Sequence, residues 1–207
     1  MRLTKVEPAD AWHLDDTDEC MYFGEYTSGG GFGASRTNQQ ILNLKKKPTA
    51  PQAELNWKDR AVSYWASMFA SGLNWEVCAT QATFVPIPGS KPVGHPEYDD
   101  RLERILSQVR QGQPAMDVRC VLRQIGERRS QHEGERMSPD RLKAQLMVDQ
   151  AQIQVPLRPT VIVFDDVITK GASFKAAKEL LLPLPGVQQV LGLFLAKTVW
   201  ANPFDDL

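Results

Sequence analysis

The chain is poor in the features that announce a small secreted, membrane or nucleic-acid-binding protein. Its three cysteines, Cys20, Cys78 and Cys120, are odd in number and far apart. They form no Cys-x-x-Cys pair, so neither a zinc ribbon nor a disulfide framework is indicated, and a reducing cytoplasm is the simplest setting. Charge of one sign is also missing: 24 Lys and Arg stand against 25 Asp and Glu. No global field therefore argues for nucleic acid or a membrane surface. No apolar run approaches membrane length. Asp10, Asp15, Asp16 and Asp18 occupy the region where a signal peptide needs an apolar stretch. No internal repeat, heptad or low-complexity segment is visible.

What is present suits one domain with a real core: 207 residues, 42% of them hydrophobic. The most informative stretch is Val161-Ile162-Val163-Phe164-Asp165-Asp166-Val167-Ile168-Thr169-Lys170-Gly171-Ala172-Ser173. A continuous β-branched run reads as a buried parallel strand. It ends in two acids and a Thr/Gly/Ser loop, and Phe174, Ala177, Lys178 and Leu181 then begin a helical period. The free amides at the start of such a helix make an anion site. Acids repel a phosphate but suit hydroxyl groups or a metal-bridged phosphate. Together they describe a sugar phosphate.

The remaining chain reads as further strand-loop-helix units. Residues 1–20 are polar and acidic and suggest an edge strand or arm, and 1–35 are read as an N-terminal arm or hood. Met21–Tyr26 alternates as a strand. Gly29, Gly31 and Ala34 make a G-x-G-x-x-A pattern, read as a turn because the strand before it is not a buried apolar one. Residues 38–47 read as a short helix whose closing lysines, Lys45, Lys46 and Lys47, complement its dipole. Ala61, Tyr64, Trp65, Met68 and Phe69 give the 57–73 helix an apolar face. Thr83 to Pro88 is a strand, and the loop after it carries Ser90 and Lys91, a plausible anion site. Asp99 or Asp100 caps a helix with Leu102, Ile105, Leu106 and Val109 on one face. Residues 116–122 are a candidate strand. Residues 123–136 are polar and without period and read as a mobile loop. Ser138-Pro139 opens a helix, with Leu142, Leu146 and Met147 as its buried face. A last strand covers Val190 to Ala196, and the tail beyond it carries Trp200. The whole suggests an α/β, Rossmann-like parallel sheet flanked by helices, with ligand-binding loops at the carboxyl edge.

The 161–173 stretch resembles the phosphoribosyl pyrophosphate signature of type I phosphoribosyltransferases. The wider order of parts is similar to the competence-protein F type, which is related to amidophosphoribosyltransferases. It is carried by Val85-Pro86-Ile87-Pro88-x-Ser90, a polar loop with Arg123 and Ser130-Gln131, an Arg141-Leu142 helix and the signature itself. It covers roughly residues 36–197, the phosphoribosyltransferase-like part of a 36–207 domain. The zinc ribbon of many such proteins is absent. Lys170 stands where a second Thr is usual, and residues 94–100 replace the usual basic segment.

The resemblance implies a type I phosphoribosyltransferase fold and displacement of pyrophosphate from C1 of the ribose by an unknown acceptor. It implies phosphoribosyl pyrophosphate as substrate and Mg2+ held indirectly, through substrate or water, by Asp165 and Asp166. Those acids would hold the ribose, while Thr169, Lys170, Gly171, Ala172 and Ser173 surround the 5′-phosphate. Ser90 and Lys91 are candidates for the pyrophosphate loop, and Arg128, Arg129 and Gln131 for a catalytic lid. His132 is either a base or a solvated loop residue, and Trp200 either stacks on an acceptor or plugs the core. A sensor of phosphoribosyl pyrophosphate that transfers nothing is the alternative. Another is an accessory protein of a DNA-uptake or antiphage (retron-type) defence system, with a nucleic-acid-associated protein partner. A homodimer is compatible with either; a membrane partner is not expected.

Overall fold

The computed structural model describes residues 2–127 and 137–200. A six-stranded sheet runs through its centre, in the order β1-β2-β8-β7-β3-β4. Its strands are β1 (Thr4–Lys5), β2 (Cys20–Ser28), β3 (Ala82–Pro86), β4 (Asp117–Val118), β7 (Thr160–Ile168) and β8 (Gln189–Trp200). All neighbours pair in parallel except β1, which runs antiparallel to β2 at one edge. The fold is thus α/β with a mostly parallel sheet and helices on both faces.

The strand period decides which face each side chain enters. On β7, Ile162 and Phe164 join a core with Phe84, Leu193 and Leu195. Helices α1 (Arg36–Leu44), α2 (Gln52–Gly72), α3 (Trp75–Gln81) and α4 (Arg101–Gly112) cover this face. Val161 and Val163 enter the opposite core with Val85, Val190 and Phe194. There α6 (Ala172–Leu181) and the N-terminal residues Val6, Ala11 and Leu14 close it. Phe69 of α2 centres the first core, its ring within 5.5 Å of Phe84 and 5.2 Å of Phe164.

Several sequence expectations need correction. The 57–73 helix begins earlier, after Pro51, and buries Lys58 besides Ala61, Trp65 and Phe69. The 1–35 stretch supplies two strands of the central sheet, with β2 registered against β8 at eight positions. It is therefore continuous with the sheet domain. The 116–122 strand shortens to β4. Arg119 then ties this edge to the carbonyls of Gln152, Val155 and Pro156, at 3.3, 2.6 and 3.4 Å. The chain leaves the sheet there and forms β5 (Leu122–Gln124), which pairs antiparallel with β6 (Leu146–Val148). Residues 123 and 124 belong to that two-stranded sheet rather than to a loop. Helix α5 (Pro139–Lys143) starts as expected, with the Ser138 hydroxyl accepting from the Arg141 amide. It is short, however, and Leu146 and Met147 lie on β6, where Met147 is exposed.

The connection from β3 passes through α4 to β4, on one side in the sheet order. The connection from β7 passes through α6 to β8, on the other. Chains leaving in opposite directions open a crevice at the carboxyl ends of β3 and β7, where ligands bind in open parallel sheets.

Candidate functional site

A cavity of about 700 Å³ occupies this crevice. Asp165, Asp166, Thr169 and Ser173 line it from β7 and the start of α6, and Ser90 and Lys91 from the loop after β3. The cavity thus brings together the two stretches singled out in the sequence. Lys170 is exposed, Gly171 and Ala172 are buried, and none of the three lines the cavity. Arg128, Arg129, Gln131 and His132 lie outside the described residues.

The adjacent acids are not equivalent, because consecutive side chains on a strand point to opposite faces. Asp166 continues the Ile162 and Phe164 row towards the α1 and α4 face. There the Arg101 guanidinium donates two bonds to Asp166 Oδ2, at 2.9 and 2.6 Å. Lys45 Nζ lies 3.3 Å from Asp166 Oδ1. Burial works to raise the Asp166 pKa, but the Lys45 and Arg101 charges win and hold it well below the usual carboxylate range. Among the described residues Asp165 has no such cation in contact. Burial, and then the Asp166 charge beside it, push its pKa up to about 7. One oxygen of Asp165 accepts the Asp166 amide at 2.8 Å. At neutral pH the pair is therefore one fixed carboxylate and one acid poised to gain or lose a proton.

The cations are held in turn. Asp99 accepts from Arg101 at 2.8 Å and from Lys58 at 2.7 Å. Lys58, 2% exposed, also donates to the Leu44 and Lys46 carbonyls at 3.0 and 2.7 Å. Those carbonyls flank the end of α1, so Lys58 fixes the position from which Lys45 reaches Asp166. The result is a continuous chain of charge from Lys58 through Asp99 and Arg101 to Asp166 and Lys45.

At the other end of the cavity, Gly171 has φ +79° and serves as N-cap of α6. Only a glycine fits: a Cβ there would sit 2.7 Å from Leu14 Cδ2. The His13 amide donates to the Lys170 carbonyl at 2.8 Å, which fastens the loop from outside. On its inner side the Thr169 and Thr198 hydroxyls share a hydrogen bond of 2.8 Å. The first amides of α6 have no intrahelical acceptor and supply donors to an anion. Across the cavity Lys91 pairs with Glu127 at 3.0 Å, and His95 meets the same carboxylate at 2.8 Å.

Lys45, Lys58, Asp99, Arg101, Thr198 and Glu127 are the site residues that sequence reasoning missed. Lys45 was absorbed into a basic helix end. Arg101 carried a usable signal: a cation in the first turn of a helix opposes the macrodipole and implies a local anionic partner. No protein-family model matches the chain, and no curated protein matches it, so the reading of this site rests on its own chemistry.

Proposed function

We propose that the cavity binds phosphoribosyl pyrophosphate together with Mg2+, and that the protein is a type I phosphoribosyltransferase of the competence-protein F kind. The observation that carries this is one cavity joining the Asp165-Asp166 strand end, the Thr169 and Ser173 hydroxyls at the α6 N-terminus, and Ser90-Lys91 across the crevice. A ligand with an anion at each end and a sugar between would engage all three groups.

In this reading the α6 amides and the Thr169 and Ser173 hydroxyls receive the 5′-phosphate. Asp165 accepts from the ribose hydroxyls. Arg101 and Lys45 keep Asp166 ionised and leave positive charge beside an anionic substrate. Lys91 meets the pyrophosphate. The acceptor nitrogen forms its bond to C1 as the bond from C1 to the pyrophosphate oxygen breaks, its electron pair leaving with pyrophosphate. Position and electrostatics supply the catalysis.

Among the described residues no group of three or more acidic, His or Cys side chains forms a protein-only metal cage. The donor set instead suits a cation that arrives with the pyrophosphate and keeps its waters, with Asp165 and Asp166 touching it through substrate or water. Bound there, it would neutralise the leaving group's charge.

The Arg101 fork on Asp166 favours a second reading, a sensor that binds the same ligand and transfers nothing, because one acid of the pair is already engaged. Calorimetry with phosphoribosyl pyrophosphate and Mg2+ tests the shared part. We expect Asp165→Asn and the Thr169→Ala/Ser173→Ala double variant each to bind at least about tenfold more weakly than wild type. Unchanged affinity in both folded variants would remove the assignment. Asp166→Asn is the poorer probe, since it strands Arg101 and Lys45. Release of pyrophosphate with a panel of bases and amines separates transferase from sensor.

A further inference from the structure

Glu127 lies just past the end of β5 and reaches the loop after β3, 36 residues away along the chain. Its two carboxylate oxygens are held by different donors. Lys91 Nζ lies 3.0 Å from Oε2, and His95 Nε2 lies 2.8 Å from Oε1. The Glu97 amide donates to His95 Nδ1 at 3.0 Å. An imidazole that accepts at Nδ1 carries its proton at Nε2, so His95 presents a donor to Glu127 even when uncharged. The turn around His95 is braced from within. Its amide donates to the Pro92 carbonyl at 3.1 Å, and its carbonyl accepts from the Tyr98 amide at 2.9 Å.

This pairing differs from the one at Asp166. The Asp166 side chain is 7% exposed and cannot leave Arg101 and Lys45 without stranding buried charge. The Glu127 side chain is 58% exposed, against 23% for Lys91 and 22% for His95. Glu127 is therefore the partner that water can receive, and the contacts of so exposed a carboxylate are weak. Its position gives it weight. Glu127 and Lys91 both line the 700 Å³ cavity, whereas His95 meets Glu127 and does not line it. A carboxylate gripped by two N–H donors offers them two oxygens, as a phosphate group does.

We propose that Glu127 is an internal stand-in for the ligand's terminal anion, and that ligand entry displaces it and frees Lys91 and His95 as a two-donor anion subsite. This rests on the reading that the Lys91 end of the cavity takes pyrophosphate. Each donor then exchanges a glutamate oxygen for a pyrophosphate oxygen, and the Glu127 carboxylate passes into water. The contact is autoinhibitory and also selective. A single phosphate group displaces the carboxylate for little gain in charge. A pyrophosphate brings more charge and more oxygens to the same two donors. Glu127 thus lowers the affinity for every anion at this end and leaves the polyanion the best competitor.

The test is calorimetric titration of inorganic pyrophosphate with Mg2+, and separately of ribose 5-phosphate, into wild type and Glu127→Gln. We expect Glu127→Gln to bind pyrophosphate about threefold or more tightly than wild type. Ribose 5-phosphate, whose phosphate belongs at the α6 end, should bind both proteins alike. Imidazole nitrogen shifts, with the His95 signal assigned through His95→Gln, read the displacement itself. Pyrophosphate should move that signal in wild type, and ribose 5-phosphate should not. Equal pyrophosphate affinity in the two proteins, with ribose 5-phosphate still binding, would overturn the proposal and leave the sugar-phosphate reading standing. A gain shared by ribose 5-phosphate, or an unmoved His95 signal, would reduce Glu127 to a distant repelling charge and also overturn it. Binding of neither probe to either protein would overturn both the proposal and the reading beneath it.

Discussion

At the residue scale, the adjacent acids Asp165 and Asp166 divide the work of the site. They are chemically identical, and the direction of each side chain sets them apart. Asp166 meets Arg101 and Lys45 and stays ionised; Asp165, half-buried beside that charge, has a pKa raised to about 7. A carboxyl whose folded pKa is raised binds protons that the unfolded chain has already lost. Its favourable contribution is present below the ordinary value of 3.8 and is lost as pH rises through about 7. We therefore expect Asp165→Asn, which cannot ionise, to gain stability relative to wild type across this window. The gain should be small near about pH 5 and larger near about pH 8. Urea denaturation of both proteins at each pH checks this. A gap independent of pH would mean that Asp165 titrates as an ordinary acid.

At the scale of elements, the α6 start is built by two layers pressing on one loop. The sheet side is Thr169 against Thr198. The outer side is the 11–14 turn, whose Leu14 leaves no space for a side chain on Gly171. Gly171→Ala would face both the left-handed backbone penalty, about 1 kcal/mol or more, and a clash with Leu14. We expect a loss of about 2–3 kcal/mol in urea denaturation. Ligand affinity at the 700 Å³ cavity should also fall, because the first amides of α6 would shift. Wild-type stability in the variant would show that the loop yields easily and does not preorganise an anion site. The β5–β6 pair is the complementary case. Its register buries Leu122 and Gln124 together, which is how a polar side chain came to lie in an apolar wall.

For the whole molecule, the N-terminal segment works as a strap across the sheet and α6. Asp18, with no side-chain exposure, pairs with both Lys175 and Lys178 at 2.7 Å, and Lys175 also reaches Asp15 at 2.6 Å. Strand β1 and the buried Val6, Ala11 and Leu14 complete the strap. It therefore ties the first twenty residues to the helix that opens the site. Breaking a buried pair costs about 3–5 kcal/mol, and the partial exposure of both lysines reduces this to about 2 kcal/mol. We expect Asp18→Asn to lose about that much stability and to speed hydrogen exchange in α6. No change in either would reduce the strap to a passive covering.

Much of this was legible because it is local. The Val161–Phe164 run announced a buried strand, the spacing of Leu102, Ile105, Leu106 and Val109 a helix face, and Ser138-Pro139 a helix start. The Thr169–Ser173 loop declared an anion-friendly helix terminus by residue type and order. What the sequence could not declare depends on contacts between distant positions. Arg101 and Asp166 are 65 residues apart, and only the packing of α4 over β7 turns a first-turn arginine into the partner of one acid and not its neighbour. The arm became part of the sheet because β8 runs on to Trp200 and offers its free edge to β2, a pairing that no local pattern encodes. The sequence by itself determined the buried β7 strand, the apolar face of α4 and the chemistry of the loop after β7, since each depends on neighbours within a few residues. The tertiary structure alone decided which acid is neutralised and which titrates near neutrality, because burial and charge act through space.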